Sequence, residues 1–155
     1  MYKLIIMGLF LFASCKCSQQ LHTSIQENPV QKELDISDVL SSKSISVYSL
    51  GDSVASYGKI CGYNVQSTPK KVDHKKIEVL SYLLQMPDML EFGYTPVKQP
   101  FKPSVAFKPS NKSRKSLLFS LGTDEIAISV DDSTYVTYRY VHPDLIQKIV
   151  EDIKN

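Results

Sequence analysis

Three residues of this chain have the types needed for a hydrolytic centre. Ser53 closes the block Val47-Tyr48-Ser49-Leu50-Gly51-Asp52-Ser53, in which a strand-like run stops at a Gly-Asp turn and presents a hydroxyl. His142 stands in Val141-His142-Pro143, just before a helical pattern, and Asn64 in Gly62-Tyr63-Asn64. A serine hydroxyl becomes a nucleophile when a neighbouring imidazole takes its proton, and an amide donor can then hold the oxyanion that forms. Acyl transfer to water is the chemistry of such a trio, with Ser53 as nucleophile, His142 as base and Asn64 as oxyanion donor.

The strand running into Gly51-Asp52-Ser53 resembles the nucleophile block of the GDSL or SGNH hydrolases. His142-Pro143 is similar to that family's last block, and Gly62-Tyr63-Asn64 to its Gly-x-Asn. The resemblance implies an esterase of small acyl substrates on a parallel sheet. The chain departs from the pattern where it matters. The family places an Asp three residues before the His, and here that position is Arg139, whose charge opposes the imidazolium that catalysis creates. Asn64 follows Ser53 too closely for the intervening helix and strand, and parallel strands need long crossovers that this chain does not offer. The expectation is therefore a turn at Ser53 and a helix cap at His142, with the esterase as the alternative.

A second group is cationic. Lys98, Lys102, Lys108, Lys112, Arg114 and Lys115 fall in an acid-free stretch with Phe101 and Phe107 interleaved, and Lys70, Lys71, Lys75 and Lys76 form another cluster. A stripe of this kind attracts the phosphates of lipid headgroups or envelope glycolipids. The competing role is to solvate loops and blunt a sheet edge. Asp124, Glu125, Asp131 and Asp132 sit at the two ends of one predicted strand, about 20 Å apart, too far to converge on a calcium ion. His22, His74 and His142 are far apart in sequence and no Cys-x-x-Cys occurs, so neither a metal nor any other cofactor is expected. The nine tyrosines could form an aromatic recognition face, although strand alternation sends half of them toward the core.

The elements that must position these residues follow from periodicity. Ile45 and Val47 alternate with Ser46 and Tyr48 as a strand does. Pro69 and Asp73 introduce a helix with Ile77, Leu80, Leu83 and Leu84 on one face, and Pro87 ends it. Residues 87–109 are rich in proline and aromatics, with a near repeat of Phe-Lys-Pro-Ser at Phe101 and Phe107, which predicts an edge strand or irregular chain. Three apolar runs, 116–121, 125–130 and 134–141, separated by Gly- and Asp-rich turns, predict an antiparallel meander. Ile126, Ile128 and Val130 share one face, as do Val136, Tyr138 and Tyr140. A last helix starts at Pro143 with Leu145, Ile146, Ile149, Val150 and Ile153 as its buried stripe. The fold class expected is α+β: a small antiparallel sheet, the meander plus one or two further strands, packed against two main helices.

The amino terminus carries an address. Lys3 precedes the apolar run Leu4 to Phe12, which is far shorter than the ~20 residues a spanning helix requires, so it predicts a signal peptide. The run ends in Phe12-Ala13-Ser14-Cys15, which resembles the bacterial lipoprotein box. That resemblance implies that Cys15 is diacylated, becomes the first residue after cleavage and is acylated again. Each buried methylene contributes about 0.8 kcal/mol, so several chains hold the protein at the membrane. Ordinary secretion, with cleavage after Cys15 or Cys17, is the competing outcome, and an uncleaved buried helix is disfavoured by the lack of any amphipathic stripe. The partition expected is signal peptide 1–14, lipidated tether 15–40 and one α+β domain 41–155, with at most a helical turn at Asp35 to Leu40.

Export places the chain in an oxidising compartment, where Cys17 and Cys61 either pair or stay apart. Lys16, after the anchor, does not resemble an inner-membrane retention signal, which favours the outer membrane facing the periplasm. The functional expectation is a lipid-anchored envelope protein with a non-catalytic binding or structural domain. Its partner would be the membrane itself, another envelope protein, a glycan or an anionic lipid, and not nucleic acid. A purely structural variant would cap a partner through its sheet edge.

Overall fold

The computed structural model describes residues 29–54, 57–91, 100–110, 115–129, 131 and 135–155. Helix α1 (Pro29–Leu40) leads into strand β1 (Ile45–Gly51), the short strands β2 (Lys59–Ile60), β3 (Tyr63–Val65) and β4 (Lys70–Lys71), and helix α2 (His74–Gln85). Then come β5 (Leu90–Glu91), β6 (Val105–Pro109), β7 (Leu117–Ser120), β8 (Glu125–Ser129), β9 (Tyr135–Tyr140) and helix α3 (Pro143–Lys154). The strands make one sheet in the order β2-β3-β1-β6-β7-β8-β9-β5, with β4 also paired to β1, and every pairing is antiparallel. The α+β class is as expected, but the sheet is larger than the small one predicted and three helices accompany it.

Alternation explains the layers. Across the sheet, Val47, Phe107, Leu117, Ile128 and Val136 stand in register as one row, and Val105, Phe119, Ile126 and Tyr138 as the next. These rows face the helices and form the main core, in which Phe107 and Phe119 meet edge to face with centroids 5.4 Å apart. Ile77, Leu80 and Leu84 of α2 and Ile146, Val150 and Ile153 of α3 close over them. Asp73 caps α2 by accepting from the Lys75 amide at 3.0 Å, and Pro143 opens α3 with Asp144 in the first turn and Lys154 in the last. Leu145 departs from its predicted stripe and is 43% exposed, because it lies about 100° around the helix from the buried Ile146.

Helix α1 stands where the sequence suggested spacer with at most a helical turn. Ile36, Val39 and Leu40 are in the main core, and Lys115, just before β7, donates to Asp35 at 2.6 Å and Asp38 at 2.7 Å. Strand β6 is a second correction, since it lies between β1 and β7 rather than at an edge. Ser110 donates its amide to Ser44, so by alternation the nitrogen of Pro109 faces the other neighbour, beyond the first residue of β7. A missing donor there breaks no ladder bond.

The opposite face of the sheet is covered differently. Its row in register is Tyr48, Ala106, Leu118, Ala127 and Thr137, and the β2–β3 hairpin folds across it. Along the sheet β3 and β9 are five interstrand steps apart, about 24 Å. Yet the hydroxyls of Tyr63 on β3 and Tyr135 on β9 are 3.0 Å apart, so the sheet is strongly curled. The small side chains of Ala106 and Ala127 make room for Leu50, Ile60, Cys61 and Val65 above them. The hairpin turns on Cys61 and Gly62, with φ of 49° and 84°. Two consecutive positive φ values define the tight turn that matches strand twist, and glycine takes the second without strain.

Among the described residues no helix is long and apolar enough to cross a membrane.

Candidate functional site

Of the hydrolytic trio, the structure brings Ser53 and Asn64 together, through the Ser53 backbone rather than its hydroxyl. Ser53 is exposed beyond the end of β1, and its backbone carbonyl accepts from Asn64 Nδ2 and Gln66 Nε2, each at 3.1 Å. Asn64 thus fastens a turn. His142 precedes α3 with no side-chain capping bond and lines a shallow cavity of about 340 Å³ with Pro143, Asp144 and Leu145. Ser53 does not line it. The parallel sheet implied by the hydrolase resemblance is absent among the described residues.

The cationic stripe is also dispersed. Lys102 stands 3.7 Å from Asp52 near the end of β1, with both side chains largely exposed. Lys108 is paired with Ser46 near the start of that strand, some 20 Å away for six residues of extended chain. Lys115 is bound to α1: burial lowers its pKa, but Asp35 and Asp38 more than offset this and hold it above the ordinary lysine value. Lys98, Lys112 and Arg114 lie outside the described residues, as do Cys15, Cys17, Val130 and Asp132.

Of the acidic group, Asp124 and Glu125 serve the β7–β8 turn. Thr123 Oγ1 donates to Glu125 Oε2 at 2.5 Å, Gln147 Nε2 donates to Asp124 Oδ1 at 2.9 Å, and Asp124 itself has φ of 57°. Tyr140 donates to the Ser120 carbonyl at 3.1 Å, and burial raises its phenol above the ordinary pKa, against a downward pull from Gln147 and with smaller upward contributions from the charges of Asp124 and Glu125. Asp131 accepts from Cys61 Sγ at 3.8 Å through its carbonyl. Among the described residues no three His, Cys, Asp or Glu side chains are placed to hold a metal ion.

One place on the outer face does gather groups able to bind. A groove of about 260 Å³ is lined by Tyr48, Tyr57, Gly58, Lys59, Ile60, Val65, Ser67, Pro69 and Lys108. Tyr48 projects from β1 and Lys108 from β6, both on the face away from the helices. Its walls are held by backbone bonds: Tyr57 N–H to Val65 O at 2.8 Å, Val65 N–H to Gly58 O at 2.9 Å and Gln66 N–H to Ser49 O at 2.8 Å. Ser67 Oγ accepts from the Ser49 amide at 3.0 Å, which leaves its own proton to donate. Gly58 reaches φ of 117°, a conformation that favours glycine, where the chain turns into β2.

At the other end of the outer face, Tyr63, Phe101 and Tyr135 form a ring cluster, with Phe101 5.5 Å from Tyr135 and edge-on to Tyr63 at 6.2 Å. Burial first, and the bond to Tyr135 second, raise the Tyr63 phenol above its ordinary pKa. This cluster is packing. Tyr57, by contrast, is 69% exposed.

Of the groove residues, sequence patterns singled out Lys108 for binding and the tyrosines only as a class. Tyr48, Tyr57, Lys59 and Ser67 come from separate segments, and Cys61-Gly62 was not legible as a hairpin turn because Asn or Asp usually takes its first position. The chain matches no family model, no curated protein and no solved structure.

Proposed function

We propose that this chain is a lipoprotein of a bacterial cell envelope, anchored through Cys15 in the outer membrane facing the periplasm, whose α+β domain is a binding module. The observation that carries the binding role is the outer-face groove, where two tyrosines and two lysines converge on walls fixed by backbone hydrogen bonds. Ligand sites are concave and carry a few placed polar groups, and the groove offers such groups in an open concavity of about 260 Å³. The anchor is supported by Phe12-Ala13-Ser14-Cys15 and by the short apolar run before it. Mass spectrometry of the mature protein from bacterial membranes tests it. An acylated amino-terminal Cys15 is expected, and a mature chain beginning after Cys15, or one released without detergent, overturns the anchor. Binding is tested separately by mapping amide chemical-shift changes on adding soluble envelope glycan fragments or anionic-lipid vesicles: changes at Tyr48, Tyr57 and Ser67 are expected, and none with either probe overturns the binding role.

A further inference from the structure

Away from the groove, we propose that the outer side of the α2–α3 pair is a docking surface for a second copy of this chain. Among the described residues six large apolar side chains are exposed, and four of them belong here: Val79 and Tyr82 on α2, Val141 just before α3 and Leu145 in its first turn. Lys75, Val79 and Tyr82 follow at i, i+4 and i+7, one exposed stripe of α2 on the side away from the buried Ile77, Leu80 and Leu84. The two helices run antiparallel, since Lys76 meets Asp152 at 2.8 Å at one end and the Val141 amide donates to the Met89 carbonyl at 3.0 Å at the other. A step up α2 is therefore a step down α3, and counting from the Lys76–Asp152 pair puts Tyr82 level with Ile146. Next to Ile146 is the shallow cavity of about 340 Å³ lined by His142, Pro143, Asp144 and Leu145, which Tyr82 of the same chain does not line. One face thus carries a projecting ring, 68% exposed, and a recess at the same level.

A twofold axis along the helices lays α2 of each copy over α3 of the other without changing level. Tyr82 then enters the recess of the second copy and the second copy's ring enters the first, the reciprocity that an isologous pair requires. Charge follows the same arrangement. Lys71, just before α2, and Lys75 in its first turn are exposed at the end that comes to lie over the last turns of α3, where Glu151 and Asp152 are exposed. Glu78 already meets His74 at 3.4 Å along its own helix. Anionic headgroups fit this face less well, because Asp144 and Glu151 share it with the lysines. Each helix has 12 residues, about 18 Å of length, and packed helices lie about 10 Å apart, so the area buried is at or below the ~1,200 Å² of stable pairs. The dimer is accordingly weak and reversible.

Sedimentation equilibrium of the full mature chain tests this, in density-matched neutral detergent with micelles in excess and with reductant present so that no cysteine bridge joins two copies. A monomer–dimer equilibrium with a dissociation constant of roughly 1–200 μM is expected. Tyr82→Ala should weaken it about tenfold or more while leaving the thermal melt unchanged, since the ring is exposed in the single copy. Lys75→Glu should also weaken it, and adding Glu151→Lys to that variant should restore it, a rescue that a general loss of fold does not give. A chain that stays monomeric to about 500 μM overturns the dimer. If the Val79, Tyr82 and Leu145 amides of that monomer shift when anionic phospholipid is added to the micelles, the face belongs to the membrane instead. A dimer that keeps full affinity in both Tyr82→Ala and Lys75→Glu overturns the surface proposed for it.

Discussion

The two faces of the central strands are built from alternate residues of the same segments, yet they end in opposite ways. Toward the helices, Phe107, Leu117, Phe119, Ile126 and Tyr138 are each at most 1% exposed and meet apolar stripes from three helices. On the outer face the row is Tyr48, Ala106, Leu118 and Ala127, and among the described residues its cover is the two-strand hairpin with Phe101 and Tyr135 packed beside it. Large residues in register with long amphipathic helices give a sealed core. Small residues under a short hairpin give a cover that, among the described residues, ends before the sheet does, and the groove lined by Tyr48 and Lys108 lies beside it. Stability belongs mainly to one face, and the capacity to bind belongs to the other.

The sharpest way to break this division is to truncate the sealed side. Phe119→Ala should cost about 3–5 kcal/mol of unfolding free energy in a denaturant titration, because the ring fills a site that cannot collapse around the cavity. A loss below ~1 kcal/mol would mean that the main core is not where the stability resides. On the outer face Ala106→Leu should cost about 1–3 kcal/mol by overpacking beneath the hairpin. Amide exchange should then speed up at Ile60 to Val65 and not in α2. Gly62→Ala imposes a side chain on a φ of 84°, costing about 1–2 kcal/mol and loosening the same hairpin.

Tyr140→Phe sharpens the comparison through pH. The wild-type phenol titrates above its ordinary value in the folded state, so the unfolded chain releases that proton first as pH rises. Its contribution is complete below about pH 10 and is lost as the pH climbs toward the raised folded value. The variant should lose about 1 kcal/mol at neutral pH, through the bond to the Ser120 carbonyl, and show a shallower alkaline decline. An identical alkaline slope in both proteins would contradict the burial assigned to this phenol. The smallest effect is expected at Tyr57→Ala, within about 0.5 kcal/mol of wild type, because its side chain supports none of the packing.

What was legible in the sequence is what was locally periodic. Helix α2, helix α3 and the meander announce themselves because stripes such as Ile146, Val150 and Ile153 repeat within one element. Helix α1 did not, since its buried Ile36, Val39 and Leu40 close a stretch that is otherwise polar. Strands β2, β4 and β5 have two residues each and cannot show alternation. Strand β6 was disguised by Pro103 and Pro109, which flank its hydrogen-bonded interior rather than interrupt it. The groove was hidden for a different reason: it draws on residues 48, 57–60, 65, 67, 69 and 108, which only the register of β1, β3 and β6 brings together. Conversely, Ser53 and His142 stood out as motif residues, while the cavity at His142 is lined by Pro143, Asp144 and Leu145 and not by Ser53.

The most direct test of the outer face as the working face is to map amide chemical-shift changes while soluble envelope glycan fragments, and then anionic-lipid vesicles, are titrated into the isotope-labelled mature chain. Changes confined to Tyr48, Tyr57 to Ile60, Ser67 and Lys108, with α2 and α3 silent, are the predicted result. Changes centred on the helices or on His142, with the groove silent, would contradict the account.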